Sequence, residues 1–565
     1  MFQTGLLIVT QPMLASRSRI PLYLSCIKTL IQNTLYVHIQ PVTPRDVTNF
    51  HLQQVPYTSC VRSFIREFYS KSASLCNNLD VRILLNHISN KPLQNLTYSL
   101  HNHCDIVFID QDSKSFDRAS SDDGLLKCLQ KSFMLGKSVE FKLIGSWVAN
   151  DGLHAVTEKE AEDELIKTYY HTVLGGTFDR LHTGHKVLLS EGALLSQNSL
   201  TVGVTVQAMN HKKILHELIQ SIDVRQKAVE EFLTDVKSCL TYNIVPIEDV
   251  FGPTVKDSKL ECIVISEETK KGGELINQER EKRSMSRLDE YVIELIEDDA
   301  RLLQYEEEKI SSSTSRKRLL GMLLRQPPPR PELSTHPYVI GLTGGIASGK
   351  TSVCQYLEKL GAAVVDCDKL GHVVYLNGTP AYEKLVAEFG QEILTEDGEI
   401  NRKALGAKVF AEKSLLEKLN SIVWPEIGRL AAEKIQQFQK EGKAVVVLEA
   451  ALLLEAGWDS IVHEVWTNII PPAEAVRRIT TERNLSEEEA KKRLGFQLSN
   501  EERIKRSNVV LCTLWEYDYT HLQVVYQTVQ LSIWPYKPSN ELRLIEPGNF
   551  YSRDFCKPDE IKPRM

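Results

Sequence analysis

Two segments of the chain combine residue types that handle phosphate. In the first, Val173-Leu174-Gly175-Gly176-Thr177-Phe178-Asp179-Arg180-Leu181-His182-Thr183-Gly184-His185-Lys186, an apolar strand runs into a glycine turn and a helix opens near Gly184. Free backbone N–H groups and the positive end of a helix dipole then meet where an anion can sit. His182 and His185 are three apart, so both reach one phosphate from the same side of the helical start, and Gly184 keeps the backbone open to it. Far along the chain, Lys309-Ile310-Ser311-Ser312-Ser313-Thr314-Ser315-Arg316 places hydroxyls before a helix and a guanidinium one turn in, a second anion cradle. Taken singly, the serine run reads as helix capping and the two histidines as satisfied core residues.

The second segment, Gly344-Gly345-Ile346-Ala347-Ser348-Gly349-Lys350-Thr351, fits G-x-x-x-x-G-K-[ST]. It lies between an apolar strand ending at Leu342 and the helical pattern Val353 to Leu360, the context the motif needs. Backbone N–H groups of the loop wrap a β-phosphate, Lys350 bridges the β- and γ-phosphates, and Thr351, with Ser352 beside it, completes the nucleotide site by ligating Mg2+. This fixes an ATP site but not a reaction, because GTPases and motor ATPases share the loop. At the end of the next strand, Val364-Val365-Asp366-Cys367-Asp368-Lys369-Leu370-Gly371-His372 brings two carboxylates beside the phosphates. A carboxylate there can take the proton of an attacking hydroxyl; the plain reading is an Asp-rich strand end.

These residues must be held by sheets. At 565 residues the chain is long enough for two to four domains. Strand-like runs at 6–10, 35–40, 81–85 and 105–110 alternate with helix-compatible segments; strands leading into Val173-Leu174, Leu200 to Val206, Tyr242 to Pro246 and Glu261 to Ile265 follow, and a third alternating set runs from Tyr338 to about Trp534. The alternation predicts a multi-domain α/β protein with parallel sheets. The expected divisions are an N-terminal α/β region of unclear fold at 1–165, a second α/β domain carrying the two histidines at 166–325, a linker at 326–336, a P-loop domain at 337–534 and a loose tail at 535–565. Gln326-Pro327-Pro328-Pro329-Arg330-Pro331 cannot continue a helix and reads as a stiff spacer, or as a polyproline ligand for an adaptor domain. Gln111 to Gly124, rich in Ser and Asp, reads as an exposed loop.

Composition excludes several classes. With 67 Lys+Arg against 74 Asp+Glu the net charge is -7, and no basic stripe tracks a phosphate backbone, so nucleic acid is not an expected partner. Eleven cysteines without a C-x-x-C pair point to a reducing compartment and give no support to a structural zinc; His101-Asn102-His103-Cys104 reads as a polar loop. No run of about eighteen apolar residues exists to span a membrane. The first 45 residues lack Asp and Glu but hold Arg17, Arg19, Lys28 and Arg45, a bias shared with mitochondrial targeting segments. The expected location is therefore cytoplasmic, mitochondrial or both, with peripheral association with a mitochondrial membrane as one form; the plain reading of those residues is an ordinary first domain. The oligomeric state stays open.

GGTFDxxHxGH followed by ISSSxxR resembles the HxGH nucleotidyltransferase superfamily. Within it, Val264-Ile265-Ser266-Glu267-Glu268-Thr269, Gly272-Gly273, Ile276-Asn277 and Arg280, with Gly252-Pro253 and Asp257 before them, resemble the phosphopantetheine adenylyltransferases of eukaryotic and archaeal type. The resemblance implies a Rossmann-like domain in which a substrate phosphate attacks the α-phosphorus of ATP and expels pyrophosphate. It assigns His185 and Arg316 to the triphosphate, His182 to the adenine-nucleotide pocket and Thr177 with Lys213 to the attacking phosphate; Gly175, Gly176, Phe178, Gly184, Ser312 and Ser313 line the ATP site. Relatives often carry Asp or Ser-Asp after the strand Thr201-Val202-Gly203-Val204, where this chain has Thr205-Val206-Gln207.

The D-x-D-x-x-x-H stretch resembles the dephospho-coenzyme A kinases, as do Asn401-Arg402 with Val409-Phe410, Leu452-Leu453-Leu454-Glu455, and Arg477, Arg483 and Arg493 with Gln497. This implies a P-loop NTPase-type kinase using ATP and Mg2+, with Asp366 as base, Asp368 and Arg402 on the acceptor, and Arg483 and Arg493 on a lid over ATP. By residue type alone, Lys and Arg among Glu residues from 482 to 493 suit a solvated helix. Asn401, Trp424 and Glu449 depart from the family pattern, which has Asp, His and Asp there. The fusion in this order is similar to the bifunctional coenzyme A synthases, more thinly over the first 165 residues, through Thr34-Leu35-Tyr36-Val37-His38 and Leu79 to Leu85. The implied substrates are ATP, phosphopantetheine and dephospho-coenzyme A. Two other readings stay open: the same folds with a nicotinamide-mononucleotide-type adenylyltransferase and a nucleoside kinase, or an ATP-binding scaffold without turnover, suggested by Val206, Asn401 and Trp424.

Overall fold

The computed structural model describes residues 1–40, 51–76, 78–89, 98–110, 124–136, 138–144, 164–298, 301, 306–409, 412–483 and 485–530. The expected exposed loop at 111–123, Phe410, and the expected tail from 535 lie outside these residues. The described residues form two compact units, one of Met1–Ser315 and one that opens at Arg316.

The first unit holds two five-stranded parallel sheets. In the N-terminal sheet, β1 (Phe2–Val9), β2 (Ile31–Ile39), β4 (Asp80–Leu84), β6 (Ile106–Ile109) and β7 (Glu140–Leu143) lie in the order β4-β2-β1-β6-β7, and β3 (His51–Gln54) pairs antiparallel with β5 (Asn86–Ser89). The second sheet orders β8 (Tyr169–Gly176), β9 (Ser196–Thr205), β10 (Thr241–Ile247), β11 (Cys262–Ser266) and β12 (Asp289–Ile293) as β10-β9-β8-β11-β12. Numbered within each sheet, both run 3-2-1-4-5, the doubly wound order whose reversal beside the first strand opens a crevice at the strand ends. Buried on both faces, the first strands are continuous apolar runs, Gly5-Leu6-Leu7-Ile8-Val9 and Thr172-Val173-Leu174.

Helices α1 (Met13–Ile27), α2 (Ser59–Leu75), α3 (Gly124–Ser132), α4 (Thr183–Leu195), α5 (Ile222–Val236) and α6 (Lys270–Lys282) accompany these sheets, and the short α7 (Ser312–Lys317) follows β12. One apolar cluster runs from Leu7, Leu24 and Phe64 through Leu189 and Leu194 to Leu200 and Val229, so residues of both sheets share a core. No break in packing falls at 165, where a domain boundary is expected from sequence, because α2 packs on α4. The acid-free first 40 residues build the central strand β1, then α1 and β2.

The second unit is one five-stranded parallel sheet of β13 (Tyr338–Gly344), β14 (Ala363–Asp366), β15 (Val445–Glu449), β16 (Glu464–Ile469) and β17 (Val509–Cys512), ordered β14-β15-β13-β16-β17. Its helices are α8 (Lys350–Lys359), α9 (Cys367–Val373), α10 (Pro380–Phe389), α11 (Arg402–Val409), α12 (Lys413–Lys440), α13 (Pro472–Arg483), α14 (Glu487–Gly495), α15 (Asn500–Arg506) and α16 (Tyr517–Gln530). Capping boxes at Ser486 with Glu489 and Ser499 with Glu502 start α14 and α15.

The expected linker begins too late and is no free spacer. Gly321 N donates to Val510 O (2.9 Å), Leu324 N to Asn508 O (2.8 Å) and Arg330 to Asp459 O (3.1 Å), so residues 321–330 lie along the second unit. Pro328, Pro329 and Pro331 stay exposed. The predicted parallel α/β architecture is the observed one, with β7, β12 and the antiparallel β3–β5 pair in addition.

Candidate functional site

The first cluster is built where β8 ends. Phe178 and Arg180 adopt left-handed backbone (φ 52° and 48°), turning the chain sharply between β8 and α4. His182 takes the N-cap position of α4, and its ring stacks on that of His185 with centroids 3.8 Å apart. Gly184 makes room for the stack: a Cβ there would lie 3.2 Å from the His182 ring. Ser312 Oγ donates to Asp179 O (3.2 Å) and lies 3.3 Å from His182 Nε2, so the distant serine run and the His turn form one site. Burial, then the nearby Lys213 ammonium, pushes His185 down to about 3, so its imidazole is neutral. Its Nδ1 is buried with no hydrogen-bond partner among the described residues, a polar atom suited to a ligand.

Lys213 Nζ donates to Thr177 Oγ1, and Thr205 Oγ1 donates to the same hydroxyl at 3.3 Å. Ser311 caps α7, accepting from Thr314 N (3.1 Å), and Arg316 lies buried in the last turn of that helix. Gly175 and Gly176 end β8, where a Cβ on Gly176 would press on the Phe178 ring at 3.0 Å; Ser313 sits in the first turn of α7. The departure at Val206 and Gln207 opens a 3-10 turn to Asn210, whose side chain ties Thr205 and the Val206 carbonyl. Sequence reasoning missed Arg225: fully buried in α5, it donates to Thr177 O (2.7 Å) and Gln220 O (2.9 Å) and so fixes the glycine turn. No local spacing announces it, since its partners lie 48 and 5 residues away.

The second cluster surrounds a cavity of about 440 Å³ lined by Ile346 to Thr351 with Asp368, Glu449, Ala451, Arg478, Glu482 and Gln497. Gly344 (φ 148°) has no room for a side chain, since a Cβ would stand 2.4 Å from Asn468 O, and Gly349 (φ 81°) caps α8. Gln497 accepts from Ile346 N (2.9 Å), and Ser348 O accepts from Thr513 Oγ1 (2.8 Å), which hold the loop open. Lys350 Nζ donates to Gly344 O (3.0 Å) and Gly345 O (3.2 Å); burial lowers its pKa while Glu449 and Asp368 oppose that. Thr351 Oγ1 donates to Glu449 Oε1 (3.1 Å), and burial pushes the Glu449 carboxyl up. Ser352 turns to Tyr517, whose hydroxyl it meets.

Two changes concern what surrounds the expected site residues. Asp366, expected as base, is the N-cap of α9: Oδ1 accepts from Lys369 N (3.0 Å) and Oδ2 pairs with Lys369 Nζ (3.2 Å). Asp368, expected on the acceptor, is exposed on the cavity wall. The second change concerns the arginines. Arg477 pairs with Glu474 at the surface, whereas Arg478 lines the cavity, donating to Ala347 O (3.2 Å) and Thr513 O (2.6 Å). Arg493 is exposed on α14 and does not line the cavity; the side chain of Arg483 lies outside the described residues. The i,i+4 series Glu474-Arg478-Glu482 was the available signal for the wall that Arg478 and Glu482 form. Arg402 bonds the ring of His372, one turn along α9 from Asp368, and lies 5.0 Å over the Tyr375 ring.

Elsewhere, His101 Nδ1 lies 2.8 Å from Asp235, as a polar loop rather than a metal ligand would. No described helix is long and apolar enough to cross a membrane.

Three family patterns match the chain in series: COASY N-terminal domain over residues 3–116, cytidylyltransferase-like over 173–318, and dephospho-CoA kinase over 338–513. The dephospho-CoA kinase of Geobacter sulfurreducens is 44% identical over 173 residues, which are 31% of this chain and 88% of that protein. That of Carboxydothermus hydrogenoformans is 38% identical over 187 residues, 33% of this chain and 91% of that one. A solved dephospho-CoA kinase from Campylobacter jejuni aligns at 28% identity over 34% of this chain and 96% of that chain, with a TM-score of 0.28. Through residues 338–513 the chain belongs to the dephospho-CoA kinase family. The two patterns before it put a nucleotidyltransferase of cytidylyltransferase-like fold ahead of the kinase, the order of a bifunctional coenzyme A synthase.

Proposed function

We propose that the chain carries out the last two steps of coenzyme A synthesis: ATP adenylylates 4′-phosphopantetheine to dephospho-coenzyme A, and a second ATP phosphorylates the ribose 3′-hydroxyl of that product. The observation that carries this reading is the pairing, in one chain, of the Thr177–His182–His185–Ser312 cluster with the Lys350–Thr351–Asp368 cavity.

In the first step the attacking group is already a phosphate anion, so no protein nucleophile is needed and the residues align and neutralise charge. Lys213 and Thr177 hold the attacking phosphate, His182 the nucleotide, and His185 and Arg316 the triphosphate. In the second step Lys350 turns from the Gly344 and Gly345 carbonyls to the β- and γ-phosphates, Arg478 faces the same phosphates, and Asp368 takes the proton of the attacking 3′-hydroxyl. Arg402 and His372 lie on the acceptor side. The hydroxyl of Thr351 with the carboxylate of Glu449 beside it offers hard oxygens that fit Mg2+, which when bound would neutralise charge on the transferred phosphoryl group. An intact cavity with its lysine, hydroxyl and carboxylates favours turnover over a silent scaffold.

Supplying phosphopantetheine and ATP to the purified chain and following products by mass spectrometry tests the reading. Dephospho-coenzyme A and then coenzyme A are expected; an acceptor screen in which nicotinamide mononucleotide or a nucleoside is consumed instead would overturn it. A cytoplasmic and mitochondrial-surface location is proposed from the acid-free first residues, and subcellular fractionation with protease protection tests it.

A further inference from the structure

The helix that bears His185 is tied at two points to the N-terminal half, once to its sheet and once to α2 and the segment before it. Lys186 follows His185, and its amide closes the first turn of α4 on His182 O (3.0 Å). Its side chain is 9% exposed, and Nζ donates to Asp80 Oδ1 (2.5 Å) and Val81 O (3.1 Å) at the start of β4. Asp80 Oδ2 accepts from Arg82 Nε (2.9 Å), and Arg82 NH1 reaches Asp235 Oδ2 (2.5 Å) at the end of α5. Asp235, buried, also accepts from Tyr36 OH (2.8 Å) and His101 N (2.9 Å). Lysine, aspartate, arginine and aspartate thus alternate in sign along one partly buried chain, with Asp80 its most open member. Burial pushes the Asp80 carboxyl up, but the Lys186 ammonium and the Arg82 guanidinium outweigh it and hold it below its ordinary value.

Further along α4, the fully buried Glu191 accepts from Tyr57 OH (3.3 Å) and pairs with Arg62 Nε (3.3 Å), both from the N-terminal half. Ion pairs inside a protein contribute little net stability, because desolvation offsets attraction, but they specify one geometry and penalise any other. A cavity of about 340 Å³ beside the first tie is lined by Asp80, Arg82 and Lys186 together with Leu181, the residue before His182. Slack at the tie therefore reaches the catalytic turn directly.

We propose that the N-terminal sheet is a working part of the nucleotidyltransferase, with Asp80 and Lys186 as positioning residues that set the His182–His185 turn for transfer of the adenylyl group. The inference rests on the adenylyltransferase reading of the first site. The test uses the full chain, measuring pyrophosphate release with ATP and phosphopantetheine, and separately the kinase step on supplied dephospho-coenzyme A. Asp80→Ala and Lys186→Met each lower kcat of the first step about tenfold or more, with KM for both substrates within about twofold and the kinase step unchanged. Asp80→Glu, which keeps the charge, recovers most of the rate, and the double variant is no worse than the poorer single one. Wild-type kcat in the single variants, losses that add in the double variant, or a fall that tracks a lowered melting temperature and is not rescued by Asp80→Glu would each overturn it. A wild-type chain that releases no pyrophosphate would instead sink the adenylyltransferase reading.

Discussion

Asp366 and Asp368 stand two residues apart and differ in what surrounds them. The first is spent on capping α9 and pairing with Lys369, and the second faces the cavity that Lys350 borders. Asp368→Asn is therefore expected to reduce kcat of the kinase step by about 10²- to 10⁴-fold. Asp366→Ser, which keeps a capping oxygen, should leave that rate within a few-fold; steady-state kinetics on dephospho-coenzyme A distinguishes them. Gly344→Ala places a Cβ against the Asn468 carbonyl at a φ of 148°, so loss of ATP binding by the second unit is expected in a calorimetric titration. The motifs themselves were legible because their geometry is local: His182 with His185, and Gly344 through Thr351, need only a strand, a turn and a helix. Which aspartate and which arginine line the cavity was not, because that depends on caps and ion pairs two to four residues away that compete for the same side chains.

At the scale of elements, burial leaves a pH signature. Full burial takes His38, in β2 beside Tyr98 and Phe133, down from 6.5 to about 4, against the Gln40 hydrogen bond, and His185 is lowered further. Both groups bind protons more readily unfolded than folded. Their contribution to stability is complete above pH 6.5 and is lost progressively as pH falls toward 4 and 3. The melting temperature of the first unit should drop over that window, and His38→Asn should show a shallower drop than wild type by differential scanning calorimetry. An equal slope in the variant would remove His38 from the account. Periodicity revealed many of the strands, since β1, β2, β8 and β13 each carry a short apolar run. It missed β7 and β12, edge strands carrying charges such as Glu140, Lys142, Asp289 and Glu290, whose pattern reads as loop until a neighbour is known.

At the scale of the whole molecule, the two chemistries are expected to separate by single substitutions. Lys350→Met should leave pyrophosphate release intact while dephospho-coenzyme A accumulates, and His185→Asn should abolish the first step yet leave supplied dephospho-coenzyme A convertible. Mass spectrometry of time courses reads both, and loss of both steps from either variant would contradict the assignment. The shared 3-2-1-4-5 order of the two sheets in the first unit could not be read in advance, because strand order is set by pairings across about 90 to 100 residues that leave no local mark. Those pairings also put the chain on a clock. β1 holds the centre of its sheet, yet β6, its partner on one side, lies about 100 residues downstream, as the Thr10–Asp110 bond records. A ribosome adding roughly 5–20 residues per second delivers β6 about 5–20 seconds after β1, so the nascent apolar strand waits with one edge bare and is exposed to aggregation or a chaperone for that interval.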